Sequence, residues 1–192
     1  MLVIKIILKE MYLELRHLCC PKGLKKIGKK TIFRKPLRIL GRKYISIGDY
    51  CDIMNGIRLE AVPKWNGDEM PNCPEIHIEN HVIIGQNCHF TAANKIIIGE
   101  GTNILPDVLI TDIKHISQKN KSLCETGIVV GSVTIGKYVQ IGMGARIMAN
   151  GKDIVIGNNA VIGANAVVTN DVEEGATVVG IPARKLVKIQ GR

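Results

Sequence analysis

The sequence predicts an all-β chain that folds as a parallel β-helix, and two observations lead to this prediction. Aliphatic residues recur every six positions and are often followed by Gly, as in Ile47-Gly48, Ile98-Gly99 and Ile156-Gly157. A period of six fits neither an amphipathic helix nor an alternating strand, but it is typical of a solenoid in which three hexapeptides make one coil. Asn, Asp and Gly recur near the expected corners, where they adopt left-handed backbone conformations at little cost.

At least five coils can be counted from the repeat, with first residues at positions 47, 78, 98, 135 and 156. The aliphatic residue of each hexapeptide is expected to point into a prism. These inward positions are Ile47, Ile53, Leu59, Ile78, Ile84, Phe90, Ile98, Ile104, Ile110, Ile135, Ile141, Ile147, Ile156, Ile162 and Val168. Strands must stay in register with the coils above and below, so extra residues can enter only at corners. Two large insertions, predicted as loops at 60–77 and 116–132, are therefore where function is expected to concentrate.

Composition limits the classes of function that the chain can have. Its 192 residues suit one domain with a sizeable core, and its low aromatic content of 4% argues against a nucleic-acid reader that stacks bases. The net charge of +9 is concentrated at one end, because residues 1–43 hold 13 of the 26 Lys and Arg. This basic segment could contact anionic lipid or an acidic polysaccharide, or it could be an ordinary solvated face.

The chain divides into two predicted domains, residues 1–43 and residues 44–192. The first begins with an amphipathic helix over residues 1–20, which is followed by a basic connector over residues 21–43 that could contain the first irregular coils. The helix is expected to pack on the body or on a neighbouring subunit, with the membrane surface as the alternative. It is too short to span a bilayer and lacks a signal-peptide cleavage site. Because the six Cys show neither zinc-ligand nor disulfide spacing, we expect a cytoplasmic protein, with attachment to the inner face of the membrane as an extension of that prediction.

His115 is the His residue best placed for chemistry. It closes the third coil in "ILPDVLITDIKHISQ", at the root of the larger insertion. A His held by a rigid strand beneath a long loop suits a general base, which needs fixed geometry and changeable access. Simple surface exposure is the alternative reading. No metal site is predicted, because His81, His89 and His115 are not spaced to converge on one ion.

Several segments resemble the hexapeptide-repeat acyltransferases: the Ile-Gly repeats, the loop after "ITDIKH", the run "IGNNAVIGANAVVTNDV" and the ending "VVGIPARKL". The resemblance covers roughly residues 45–190. It is greatest to the maltose, galactoside and streptogramin acetyltransferase group and to the O-acetyltransferases of capsule and lipopolysaccharide synthesis. It implies a left-handed parallel β-helix, an exception to the usual right-handed crossover. It also implies a homotrimer that binds acetyl-CoA between adjacent prisms.

The resemblance assigns the general base to His115, because "IIIGEGTNILPDVLITDIKH" follows the family pattern without a gap. Its imidazole would take the proton from an acceptor hydroxyl that attacks the thioester. Asn87 is the acceptor-site Asn that the resemblance implies, across a gap in the alignment. Asp112 is expected beside the acceptor and the imidazole, with a simple corner Asp as the alternative.

Acetyl-CoA is expected along the corners that follow the Ile-Gly pairs, where small residues would let its pantetheine arm approach the main chain. The residues that the resemblance assigns to acetyl-CoA are Gly142, Met143, Gly163, Ala164, Thr169, Asn170, Arg184 and Lys185. Arg184 and Lys185 would meet the phosphates, or form an ordinary basic C-terminus. Gln140 and Met143 depart from the family pattern, in which Trp and a small residue are usual.

The sequence thus predicts a trimeric O-acetyltransferase that moves an acetyl group from acetyl-CoA to a sugar hydroxyl in surface polysaccharide or lipopolysaccharide synthesis. Direct attack in a ternary complex is expected, since no Cys or Ser stands beside a base as a nucleophile. The alternative is a non-catalytic β-helix scaffold that docks on a membrane or an acidic polymer through residues 1–43. His115 and "GIPAR" favour the enzyme, whereas the departures at Gln140 and Met143 favour the scaffold.

Overall fold

The walls of the molecule are three sheets that the chain visits in turn. The computed structural model describes residues 21–186, and the helix predicted over residues 1–20 lies outside this range. Each coil adds one strand to sheet 1, one to sheet 2 and one to sheet 3, and pairs in parallel with the coil before it. The predicted all-β parallel β-helix is confirmed.

The strands are two to four residues long and are numbered here in chain order. Sheet 1 contains β1 (Lys26–Ile27), β4 (Ile45–Ile47), β9 (Glu75–Ile78), β12 (Lys95–Ile98), β17 (Ser132–Ile135) and β20 (Asp153–Ile156). Sheet 2 contains β2 (Ile32–Phe33), β5 (Asp52–Ile53), β10 (Ile83–Ile84), β13 (Asn103–Ile104), β18 (Gln140–Ile141), β21 (Val161–Ile162), β23 (Thr177–Val179) and the antiparallel β24 (Arg184–Lys185). Sheet 3 contains β3 (Arg38–Leu40), β6 (Arg58–Ala61), β11 (His89–Ala92), β14 (Leu109–Thr111), β19 (Arg146–Met148) and β22 (Val167–Val168).

Two antiparallel hairpins lie in the predicted insertions. One pairs β7 (Lys64–Trp65) with β8 (Asp68–Glu69), and the other pairs β15 (Ile113–His115) with β16 (Ile128–Val130). Short 3-10 helices span Arg42–Tyr44 and Leu123–Glu125. The region predicted as a loop at 60–77 therefore contains a hairpin of its own, whereas β16 in the region 116–132 pairs with β15, which comes just before that region.

The basic segment is part of the β-helix from residue 26 onwards, so the coils begin before the domain boundary that was placed at residue 43. Ile27, Phe33 and Ile39 continue the six-residue spacing and pair in register with the inward residues of the next coil. The pair Ile27-Gly28 was the sequence signal for this coil, and the density of Lys and Arg around it concealed the repeat. The structure thus has six complete coils, one more than the sequence count.

The inward residues form a continuous apolar core. All fifteen predicted inward positions are at most 1% exposed. Along sheet 2, for example, Ile53, Ile84, Ile104, Ile141 and Ile162 stack in register through successive coils. Burying each such side chain contributes roughly 1.5–3 kcal/mol relative to leaving it in water, so the repeat is also the main source of stability.

Successive coils approach so closely at their corners that some positions have no room for a side chain. A Cβ built on Gly99 would lie 2.4 Å from the carbonyl oxygen of Gly136 in the next coil. Gly127, in the larger insertion, is different, because its Cβ would meet only the Ile116 Cδ1 at an ordinary 3.5 Å. The small residue of the repeat is therefore required by the backbone of the neighbouring coil.

We expect Gly99→Ala to lower the free energy of unfolding by about 1–3 kcal/mol, because the corner of the next coil must shift to accommodate the methyl group. Gly127→Ala is the matched control and should change it by less than about 0.5 kcal/mol. Urea denaturation of both variants measures the difference. Equal stabilities of the two variants would contradict the close approach of the coils.

Candidate functional site at two corners

The predicted site residues are divided between two corners of the β-helix. The 2/3 corner, where the chain passes from sheet 2 to sheet 3, holds Asn87, Gly142, Met143, Gly163 and Ala164. The 3/1 corner, where it passes from sheet 3 to sheet 1, holds Asp112, His115, Thr169 and Asn170. About six residues of sheet 3 separate the two corners, which is roughly 20 Å at about 3.3 Å per residue. Asn87 and His115 of one chain are therefore not brought together.

His115 ends β15 and stands exposed on the hairpin that projects from the 3/1 corner. Its backbone is fixed by pairing with Ile128 across the hairpin. Its imidazole lies against Trp65, with the ring centroids 5.0 Å apart and the planes tilted by 55°. Among residues 21–186, no carboxylate or other side chain bonds to this imidazole. The ring is thus positioned by the hairpin and by an aromatic neighbour.

Trp65 joins the two insertions. Its Nε1–H donates to the carbonyl oxygen of Thr126 at 2.9 Å, and the Asn66 Nδ2–H donates to the same oxygen at 3.0 Å. Thr126 is buried and comes just before β16, so the β7–β8 hairpin holds the end of the larger insertion in place. Sequence reasoning missed this role, although the single Trp of the chain lies inside an insertion.

Asp112 has the contacts of a corner Asp, which was the alternative to a place beside the acceptor. Its side chain is fully buried, and its carboxylate accepts hydrogen bonds from the backbone N–H groups of Ala93, Asn94 and Lys95 at 2.7–2.8 Å. Burial raises the pKa of Asp112 to about 6, against the opposing effect of these three donors. Its oxygens are committed to the corner of the previous coil, and no hydrogen bond joins them to His115.

Asn87 lies where it can contact a ligand. It adopts a left-handed conformation with φ of 57° and borders an open hollow of about 230 Å³. The other polar side chains of this hollow are those of His89, Asp107 and Arg146, and Leu109 supplies apolar surface. Sequence reasoning identified Asn87 but not the three polar neighbours, which come from two other strands and the next corner.

The 2/3 corner carries backbone N–H groups that are free to bind a ligand. The N–H groups of Gly142 and Gly163 donate to carbonyl oxygens of the following coil. Those of Met143 and Ala164 have no acceptor within the described part of the chain. A Cβ on Gly142 would lie 2.4 Å from the Ala164 nitrogen, so the backbone of the next coil already requires a Gly at this position. The Met143 side chain is 52% exposed and turned away from the core.

The four C-terminal residues assigned to the cofactor do come together. Thr169, Asn170, Arg184 and Lys185 border one hollow of about 250 Å³. Lys185 pairs with Glu173, which borders the same hollow, and this partner lowers the pKa of the Glu173 carboxyl. Among residues 21–186, Arg184 donates only to the neighbouring Ala183 carbonyl oxygen. Of the two basic side chains of this hollow, Arg184 is therefore the one available to an anion.

Residues 21–186 contain no cluster of three or more His, Cys, Asp or Glu that could hold a metal ion. Within the same residues, no helix has the length and apolar character needed to cross a membrane.

The fold is that of the hexapeptide-repeat acyltransferases. AntD, an N-acyltransferase from Bacillus cereus solved with dTDP and 3-hydroxybutyryl-CoA, has a TM-score of 0.69 at 20% identity, covering 90% of this chain and 85% of that one. Galactoside acetyltransferase in complex with coenzyme A has a TM-score of 0.55 at 21% identity, covering 87% and 66%. A hexapeptide-repeat acetyltransferase from Vibrio cholerae has a TM-score of 0.52 at 23% identity, covering 88% and 76%. At these identities the likeness shows the fold, and it confirms the predicted resemblance and the left-handed parallel β-helix.

In sequence, the chain is similar to Nodulation protein L of Rhizobium meliloti (strain 1021), with 44% identity over 110 residues. The alignment covers 57% of this chain and 57% of that protein, so the chain matches little more than half the length of this relative. No family model matches the chain.

We expect Trp65→Ala to release the end of the larger insertion, because it removes the hydrogen bond to Thr126 and the ring beside His115. The Ile116 N–H donates to the Gly127 carbonyl oxygen at 3.0 Å, and its amide hydrogen exchange should become about 3–10 times faster, as the loss of one supporting hydrogen bond implies. Trp65→Phe keeps a ring without the Nε1–H, so its exchange rate should lie between those of the wild type and Trp65→Ala. Unchanged exchange in Trp65→Ala would contradict this link, and exchange in sheet 2 serves as the internal control.

Proposed function

We propose that this protein is an acetyl-CoA-dependent transferase that acetylates a sugar hydroxyl in surface polysaccharide or lipopolysaccharide synthesis, with His115 as the general base. The observation that carries the proposal is the division of the predicted site between the two edges of sheet 3. One edge has an exposed His fixed on a hairpin, and the other has free backbone N–H groups beside a polar hollow. If the 3/1 edge of one copy lay against the 2/3 edge of another, the first would supply the base. The second would supply the thioester cleft and the acceptor pocket.

The residues present fit acetyl-CoA. The free N–H groups of Met143 and Ala164 suit the amide and thioester oxygens of a pantetheine arm that runs along the 2/3 corner. Arg184 suits a phosphate, with Thr169 and Asn170 beside it as hydrogen-bonding groups. When bound, acetyl-CoA supplies the activated acyl group. The exposed Met143 side chain is not packed in the core, so it would be able to turn aside from a pantetheine arm at this corner.

His115 would act on the acceptor. Its imidazole accepts the proton of the acceptor hydroxyl as the oxygen becomes a nucleophile, and the hairpin keeps the ring in one place while this happens. The larger insertion lies beside this ring, and the β7–β8 hairpin holds the insertion in place. Both would therefore limit the access of water to the imidazole. An amine is the other acceptor to consider, since AntD is an N-acyltransferase. A free amino sugar therefore belongs in every acceptor panel.

The partners outside this site stay predictions. A homotrimer is what the resemblance implies, and a site shared between chains supports it. In the basic segment, Arg34 and Arg38 pair with carboxylates of the next coil, and Lys25 pairs with Glu75 two coils further on. Residues 22–43 contain no acidic residue, so their field remains positive. Contact with an anionic membrane surface or an acidic polymer, and a cytoplasmic location, are therefore kept as proposals.

We expect His115→Ala to lower the turnover number by roughly 10²–10⁴, because the acceptor hydroxyl loses its base. The variant should keep its fold and its affinity for coenzyme A. His77→Ala, on the outer face of sheet 1, is the control and should have wild-type activity. Release of free thiol from acetyl-CoA with a panel of sugars measures turnover. Near wild-type turnover by folded His115→Ala would exclude the assignment, and no turnover by the wild type with any acceptor would favour the scaffold.

We expect two inactive variants to restore activity when their subunits are mixed. His115→Ala damages the 3/1 edge, and Ala164→Trp obstructs the 2/3 edge at an exposed position. If each site uses unlike edges of two chains, random mixing leaves about one quarter of the sites intact. Refolding the variants together and measuring thiol release tests this, with sedimentation to count the subunits. A site contained in one chain predicts no recovery at all.

A further inference from the structure

A second His carries the carboxylate partner that His115 lacks. His89 on β11 and Glu60 on β6 lie on the outer face of sheet 3, and the His89 Nε2 is 2.8 Å from the Glu60 Oε2. The same Nε2 is 2.7 Å from the Thr91 Oγ1. Neither contact is used by the mechanism proposed above.

Glu60 is built into the sheet as a fixed anion. Its side chain is only 10% exposed, and it pairs with Arg58 at 2.9 Å and with Arg38 at 3.1 Å. Burial acts to raise the pKa of Glu60, but the hydrogen bonds from Arg58 and His89 and the charge of Arg58 outweigh it, and the pKa lies below its ordinary value. Glu60 therefore stays ionised at neutral pH and can only accept hydrogen bonds.

This fixes the tautomer of His89. Because the Glu60 carboxylate only accepts, the His89 Nε2 must carry the hydrogen and donate it. In the neutral ring, Nδ1 is then an acceptor with a lone pair. Within residues 21–186 no group bonds to this Nδ1, so the arrangement leaves one acceptor nitrogen to a ligand.

His89 borders the same hollow as Asn87, together with Asp107, Leu109 and Arg146. The Arg146 guanidinium is anchored through Nη1, which donates to the Asp107 carbonyl oxygen at 2.6 Å. An amide, a carboxylate, a guanidinium and an imidazole acceptor thus surround one apolar side chain. This mixture of donors and acceptors suits a sugar ring, which presents several hydroxyls along one edge and C–H groups on its face.

We propose that this hollow is a sugar-binding subsite in which the His89 Nδ1 accepts a hydrogen bond from a ring hydroxyl and Glu60 is the positioning residue that holds the imidazole. The inference rests on the proposed function, since it specifies how that site would recognise its acceptor. His89 touches the sugar and orients it, and it leaves the role of base to His115.

Two substitutions of His89 separate binding from structure. In His89→Gln the amide reaches the position of Nε2, so the contacts with Glu60 and Thr91 can persist while the Nδ1 acceptor is lost. In His89→Asn the amide reaches the position of Nδ1 and the contact with Glu60 is lost. Saturation-transfer NMR with methyl β-D-glucopyranoside and N-acetyl-D-glucosamine, in the presence of coenzyme A, measures binding without turnover.

We expect His89→Asn to bind sugar within about threefold of the wild type and His89→Gln to bind about tenfold more weakly, the size of one lost hydrogen bond. A purely structural role for His89 predicts the opposite order. Either that order or no binding of either sugar by the wild type overturns the inference. Thermal unfolding of both variants shows whether each keeps the fold.

The imidazole ¹⁵N shifts of His89 give an independent result. We expect the Nε2–H tautomer in the wild type and a mixture of tautomers in Glu60→Gln, together with weaker sugar binding. An Nδ1–H tautomer in the wild type would also refute the proposal. If the wild type binds sugar but transfers no acetyl group, that result would instead count against the proposed function.

Discussion

Backbone register between successive coils is the constraint on which the rest of the structure depends. Each strand has two to four residues and bonds only to the coils above and below it, so no strand is stable alone. The corners must therefore repeat at a fixed height, and left-handed residues stack at the 2/3 corner as Asn87, Asp107, Gly144 and Asn165. A slip of one residue would turn the aliphatic face outwards. Long insertions are consequently confined to corners, where they can vary without breaking the ladder.

The same constraint explains why the candidate site is divided. Sheet 3 is a rigid wall, so groups at its two edges cannot approach one another within a chain. Groups at one edge, in contrast, are stacked by the ladder: Asn87 and its hollow lie along the same corner as the free N–H groups of Met143 and Ala164. A second copy is the simplest way to bring His115 to them, because the partner presents the opposite edge with the same coil spacing.

The sequence was sufficient to predict the core and the corners, because a six-residue period directly specifies which side chains point inwards. It also predicted that His115 lies at the root of the larger insertion and that the four C-terminal residues lie together, and the structure has both arrangements, while the roles of these residues stay predictions. It failed where a partner comes from another coil. The donors that bury the Asp112 carboxylate belong to residues 93–95, and the Glu60 that orients His89 is 29 residues away. Only the register, which depends on the exact length of each insertion, brings these groups together.

The environment of His115 implies how its charge would be stabilised. A base that accepts a proton becomes an imidazolium, and in many sites a carboxylate offsets that charge. Here Asp112 is committed to three backbone donors and Glu60 to His89, so the chain offers neither to His115. Trp65 is the neighbour that remains, 5.0 Å away with its indole held in place by Thr126. The face of an aromatic ring attracts a cation by about 0.5–1 kcal/mol at an exposed site. That contribution is smaller than a buried carboxylate provides, so the partner chain or the acceptor itself would have to supply the rest.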